Sequence, residues 1–309
     1  MVPQTQAYTI KKGGAMNPFS IYHLCPEGFP RFQQQLTDVI IKTTTPDMIF
    51  LLGAMLHRKR SESIFNESAP YSQQLSDCTL LILLPNLANK ELHEWQDKIE
   101  NHCGAILPVT TLVLATPTFV EWLQACLPFA LSVWRHAPVL YDTGHICRED
   151  IPELKAPISN KDAIKQWEDG LSKAREFLAG AELYRVRKQH KMAAFMLHQS
   201  AEQALRALLK AGTGYHANTH SIDRLLRYSS LVAHQLPEIF PRQTEQDKRL
   251  FNLLQKAYID TRYKEDYKIT DEELLTLTGK VRCVHELLSD ARNCFKNAPL
   301  QSELQNTSQ

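Results

Sequence analysis

The chain has 309 residues, a length that accommodates two domains with a core apiece. Hydrophobic residues make up 43% and charged residues 22%, which excludes a disordered chain, a collagen-like repeat and a coiled-coil rod. Lys and Arg number 35 against 34 Asp and Glu, so the basic excess of a dedicated nucleic-acid binder is missing, although residues 156–309 carry 23 basic against 19 acidic side chains.

Residues 1–30 read as a partly disordered leader, with either Met1 or Met16 as the natural start. A first domain is expected over 31–145. Met48 to Leu52 (MIFLL) and Thr79 to Leu84 (TLLILL) are short apolar runs, and Ile106 to Ala115 (ILPVTTLVLA) is a longer β-branched one; all three read as buried strands. Helical patterns cover Phe32 to Ile41, Leu87 to Asn101 and Thr118 to Leu127. Strands alternating with helices predict an α/β layer. Periodicity then breaks from Tyr141 to Asn160, where Gly144, Pro152 and Pro157 accompany a run of charges, and a linker is expected over 146–160.

From 161 to 297 apolar residues recur every three or four positions, which predicts five helices. Trp167, Leu171, Ala174, Phe177, Leu178, Ala181 and Tyr184 mark the first, and Ala193, Met196, Leu197, Ala201, Ala204, Leu205 and Leu208 the second. Gly212 or Gly214 suits the left-handed end of the second helix. A third is expected from about Ser221 to His234, a fourth from about Thr244 to Tyr263. Thr270 with Glu273 gives a capping box at the start of the fifth, and residues 298–309 read as a frayed tail. The four Trp residues, at 95, 122, 134 and 167, fit core or interdomain packing. Seven cysteines without a CxxC pair fit neither a disulfide framework nor a zinc ribbon, and point to a reducing cytoplasm. His216 and His220 are four apart with no further ligand nearby, so no metal is expected there. No apolar run is long enough to span a membrane.

The second half resembles a HEPN domain, a helical bundle associated with nucleotide binding. The resemblance rests on Phe177 to Glu182 (FLAGAE), Ala194 to Ala204 (AFMLHQSAEQA), Thr219 to Leu225 (THSIDRL) and Ala257 to Tyr263 (AYIDTRY). The first half resembles a minimal nucleotidyltransferase, in which a strand ending in Gly-Ser is followed by helix and then by Ser-Asp-x-Asp leading into a second strand. Here those positions are Gly53-Ala54 and Ser76-Asp77-Cys78-Thr79. Together the two resemblances imply an α+β two-domain protein, with a mixed sheet in the first half and an all-α bundle in the second.

Nucleotidyl transfer needs carboxylates to hold its metal ions. Asp77 is present, but Thr79 takes the second carboxylate position, Ala54 replaces the Ser, and Ile106 to Ala115 contains no acid. The first domain therefore reads as a degenerate scaffold, magnesium entering only if it is active. His57-Arg58-Lys59-Arg60 reads as a solvated loop after the Gly53 turn. Many HEPN domains cut RNA through an Arg followed four to six residues later by His; after Arg262 no His falls in that window, and Tyr267 stands there instead. No catalytic residue is assigned.

The resemblance implies instead a nucleotide or phosphate site built from Tyr258, Arg262 and Tyr263 with Tyr267, His198 and Glu202 completing it. The plainer alternative is an inward Arg262 paired with Glu202 and a satisfied core His198. His220 is expected to cap the third helix, with Asp223 in its first turn. The function expected is that of a cytoplasmic binding or regulatory protein, homodimeric through the bundle. Metal-independent ribonuclease and magnesium-dependent nucleotidyltransferase are the alternatives.

Overall fold

A computed structural model describes residues 28–60, 71–88, 90–146 and 160–297. The N-terminal half runs α1 (Gly28–Thr44), β1 (Met48–Arg60), β2 (Tyr71–Leu84), α2 (Leu92–Cys103), β3 (Val109–Ala115), α3 (Thr116–Gln124), α4 (Pro128–His136) and β4 (Val139–Asp142). The sheet order is β3-β2-β1-β4. β1 pairs antiparallel with β2 and β4, while β2 pairs parallel with β3, so the sheet is mixed as expected. α2 supplies the crossover that a parallel pair requires.

Side chains alternate across each strand, and both faces of this sheet are covered. Ile49, Leu51, Leu80, Ile82 and Val113 pack with Leu36 and Ile40 of α1 and Ile99 of α2. Met48, Phe50, Leu81, Leu83, Leu112 and Leu114 turn the other way, into a cluster with α3, α4 and the C-terminal half. Burial on two faces is the reason these strands read as continuous apolar runs.

The C-terminal half comprises α5 (Asn160–Val186), α6 (His190–Thr213), α7 (Ile222–Ser229), a 3₁₀ turn (Leu236–Ile239), α8 (Glu245–Tyr263) and α9 (Asp271–Asn297). α6 is the central helix, touching α5, α7, α8 and α9. Small residues let α5 and α6 approach closely: a Cβ on Gly170 would meet Ala207 Cβ at 2.5 Å. Gly214 ends α6 at φ 75°, its N–H donating to Lys210 O. Thr244 with Asp247 boxes the start of α8, and the expected Thr270–Glu273 box opens α9.

The two halves are joined through one core, not merely linked. Phe129 meets Tyr215 at 4.8 Å between ring centroids, and Trp122 meets it at 6.4 Å. At the β3 edge, Thr111 donates its N–H to Glu100 and accepts on its carbonyl the Tyr228 hydroxyl, so side chains satisfy backbone groups that an exposed edge leaves open. Arg224 bonds Asp97 and Glu100, and Arg227 bonds Glu100, pinning α7 to α2.

Several expectations change. β1 does not end at Gly53 but continues to Arg60, and β2 begins at Tyr71, so a hairpin ladder occupies positions where the nucleotidyltransferase pattern has helix. The register shift between Leu51 and Gly53 is a bulge that mimics a strand end in the sequence. His57 to Arg60 consequently lie in strand, not loop. β4 lies partly within the stretch taken as a break, because four residues offer too little pattern to detect. α1 starts inside the expected leader, with Phe29 buried. α7 is shorter than expected, ending at Ser229 before the Pro237 turn. The leader 1–27, most of the linker at 147–159 and the tail 298–309 lie outside the described residues.

Candidate functional site

Helical spacing puts His198 and Glu202 one turn apart on α6, and α8 brings Tyr258 and Arg262 to the same region. Glu202 is buried, and four polar groups converge on it. Arg206 approaches at 3.2 Å, His220 Nδ1 lies 3.1 Å from both oxygens, Gln199 Nε2 donates at 3.2 Å, and His198 Nδ1 stands at 3.6 Å. A buried carboxylate survives only with such neighbours.

His198 is fully buried, and burial lowers its pKa to about 4 against the opposing pull of Glu202, so it is neutral at pH 7. Its Nε2–H donates to the His220 carbonyl at 3.0 Å and fixes that backbone. A carboxylate only accepts, so His220 donates from Nδ1 to Glu202, and its Nε2 has no hydrogen bond among the described residues. The His220 side chain is 49% exposed. Its ring stacks on Tyr258 at 4.0 Å and 13°.

Arg262 is exposed. Its guanidinium sits 4.2 Å from the Tyr258 ring centroid and 5.6 Å from that of Phe195, and its Nε donates to Tyr258 O at 2.7 Å. Among the described residues no carboxylate lies within ion-pair distance of it. Arg206, one turn beyond Glu202 on α6, is the charge partner that was expected of Arg262. The pairing alternative for Arg262 is thus corrected, because its position at the end of α8 points it outward.

Of the expected site residues, His198, Glu202, Tyr258 and Arg262 come together, and Tyr263 flanks Arg262 at 5.3 Å while 75% exposed. Tyr267 does not join them: it is buried on another face of α8, its hydroxyl donates to Leu253 O, and burial pushes its phenol pKa up. His220, expected as a helix cap, is instead a member of the cluster, and Ser221 caps α7 by accepting from Arg224 N. The preference of N-caps for Ser over His was the available signal. Asp223 stands in the first turn as expected.

In the N-terminal half, Gly53, Ala54, Asp77 and Thr79 do gather, lining a cleft of about 550 Å³ with Leu231, His234 and Glu238. A Cβ on Gly53 would come 2.6 Å from Leu231 Cδ2, so this glycine seats the segment after α7. The donor set does not fit a nucleotidyltransferase metal pair: Thr79 stands beside Asp77 on the same face, and β3 is Val, Thr, Leu and Ala only. Among the described residues no cluster of three His, Cys, Asp or Glu is arranged around a metal position, and no helix is long and apolar enough to cross a membrane.

Residues 167–295 match the HEPN domain family, in agreement with the helical bundle. No family match supports a nucleotidyltransferase-like first half. No curated protein matches the chain.

Proposed function

Proceeding from a HEPN domain at residues 167–295, we propose that the protein is a cytoplasmic ligand-binding or regulatory protein whose bundle takes a nucleotide or related phosphate ligand. The observation that carries this is the exposed Arg262, unpaired with any described carboxylate, lying over the ring of Tyr258, on which His220 also stacks. A guanidinium held by its own backbone and an aromatic ring keeps its outer N–H groups for an anion. Buried Glu202 and neutral His198 hold the face in place from beneath. The first half serves as a scaffold in this reading, since its one motif carboxylate, Asp77, faces a cleft narrowed by the bundle.

Self-association belongs to the same reading. At one end of the bundle α5 and α8 finish and α6 and α9 begin, held by Arg185–Asp271 and by Lys191 on the carbonyls of Lys264 and Glu265. Leu183, Val186, Met192, Ile259, Tyr263 and Leu275 are all exposed there, Val186 to 70%. Such a patch suits a homodimer interface.

Thermal unfolding against a panel of nucleotides tests the ligand site. The expected result is a raised midpoint, indifferent to magnesium, that is lost in Arg262→Ala. No shift with any nucleotide sinks the reading. Light scattering at micromolar concentration tests the dimer, which Val186→Glu is expected to dissociate.

A second reading, metal-independent RNA cleavage, draws on the His220–Glu202 pair, because an imidazole oriented by a carboxylate is suited to proton transfer. Cleavage of structured RNA in EDTA, abolished by both His220→Ala and Arg262→Ala, would favour it over binding alone.

A further inference from the structure

A large cleft lies elsewhere, between the two halves, with a volume of about 890 Å³. Its base is formed where Leu87 follows β2, where β3 ends at Ala115 and where α2 begins. Open α/β sheets take ligands at the carboxyl ends of parallel strands, because the crossover leaves a crevice there. The N-terminus of α2 has no side-chain cap, and with Glu94 N–H donating to Glu91 O the N–H groups of Leu92 and His93 remain on that side.

The lining combines three features. Trp122 and Tyr215 form one aromatic wall, and the Arg242 guanidinium, stacked 4.0 Å from the Phe251 ring centroid, forms a flat platform on another. The cations are paired: Arg224, Arg227 and Arg242 with Asp97, Glu100 and Asp223, and Lys248 with Glu245. An anion trap would leave cations in excess. Against these satisfied pairs, the side chains of Asn218, Asn252 and His216 make no hydrogen bond within the protein among the described residues, and all three line the cleft.

We propose that this cleft is a second ligand site, built for a nucleoside, whose planar base stacks on the aromatic and guanidinium surfaces and whose edge bonds the free amides. The size agrees, since sites for small molecules run to roughly 300–1,000 Å³. Recognition is by ring and hydrogen bonds, not by net charge. The proposal is independent of the bundle-face site, although the loop from Tyr215 to Ser221 touches both. Thr219 lines the cleft while the next residue, His220, reaches Glu202 on the far side. An occupant therefore contacts the segment that positions His220.

The test is a titration of the full chain with adenosine, guanosine, cytidine and uridine, each also as its 5′-monophosphate, and with inorganic phosphate. Binding is followed by calorimetry and by intrinsic fluorescence, to which Trp122 contributes. The expected result is saturable binding of at least one nucleoside, with a fluorescence change absent in Trp122→Phe. Affinity should fall at least tenfold in Asn252→Phe, which fills the cleft from an exposed position, and in His216→Ala, each with unchanged circular dichroism. Failure of every nucleoside to bind at millimolar concentration overturns the proposal. So does an equal response to inorganic phosphate alone. A response removed by Arg262→Ala and untouched by Asn252→Phe assigns the ligand to the bundle face and likewise overturns the cleft site.

Discussion

Glu202 shows how a single side chain organises a surface it never reaches. Buried in α6, it accepts from Arg206, His220 and Gln199, so the positions of a guanidinium, an imidazole and an aromatic stack depend on it. Removing one member of a buried charged network leaves the others desolvated and unpaired. Glu202→Ala is accordingly expected to cost about 3 kcal/mol of folding stability, measured by urea unfolding, and to release His220 from Tyr258. Glu202→Gln keeps an acceptor and should cost less.

His198 makes a prediction about pH. Burial holds its folded pKa near 4, below the ordinary 6.5. Its contribution is fully present above pH 6.5 and is lost as pH falls toward 4, because the unfolded chain binds the proton more readily. The shift corresponds to about 3 kcal/mol. Wild type should thus lose more stability between pH 6.5 and 4 than His198→Gln, and parallel slopes for the two would refute this account. Sequence spacing brought out His198, Glu202, Tyr258 and Arg262, since i, i+4 pairs on helices are a local property. It did not bring His220 to Glu202 or set Tyr267 apart from the others, because where a loop residue or the chain beyond a helix end points depends on tertiary contacts.

At the scale of elements, two helical glycines distinguish propensity from packing. Gly170 faces Ala207 across the α5–α6 contact, where an added Cβ has only 2.5 Å. Gly170→Ala gains up to about 1 kcal/mol in helix propensity, yet must push two helices apart, at a typical cost of about 1–3 kcal/mol. A net loss in thermal stability is expected. Gly279, in α9, has nothing within 4 Å of the same position. Gly279→Ala should therefore stabilise by about 0.5–1 kcal/mol. The bundle helices were legible, because their apolar stripes and the Thr270 box are written locally, whereas α4 over Pro128–His136 was not expected. The N-terminal sheet was less so: the Gly53 bulge resembled a strand end, and the basic residues 57–60 continue a hairpin only because β2 pairs with them.

Taken whole, the described residues combine two architectures around a shared core. The apolar cluster passes without interruption from Phe50 and Leu112 of the sheet through Phe129 to Leu205 and Leu225 of the bundle. Thermal unfolding is expected as a single transition, with near- and far-ultraviolet circular dichroism coinciding. Two separated transitions would mean that the halves are independent. Tyr228 sits at the junction, accepting from Gln96 and donating to Thr111 O. Tyr228→Phe leaves both buried partners unsatisfied and should cost about 1–3 kcal/mol, still within one transition.

The amino-acid sequence alone determined that buried strands alternate with helices in the first half, that five helices make up the second, the Thr270–Glu273 cap and the HEPN character of residues 167–295, since hydrophobic period and capping act over a few residues. Only the tertiary structure decided that Glu202 takes Arg206 and His220 as partners, that Arg262 faces outward, and that sheet and bundle share a core with a cleft between them. These depend on contacts between residues far apart in the chain, whose geometry no local pattern encodes.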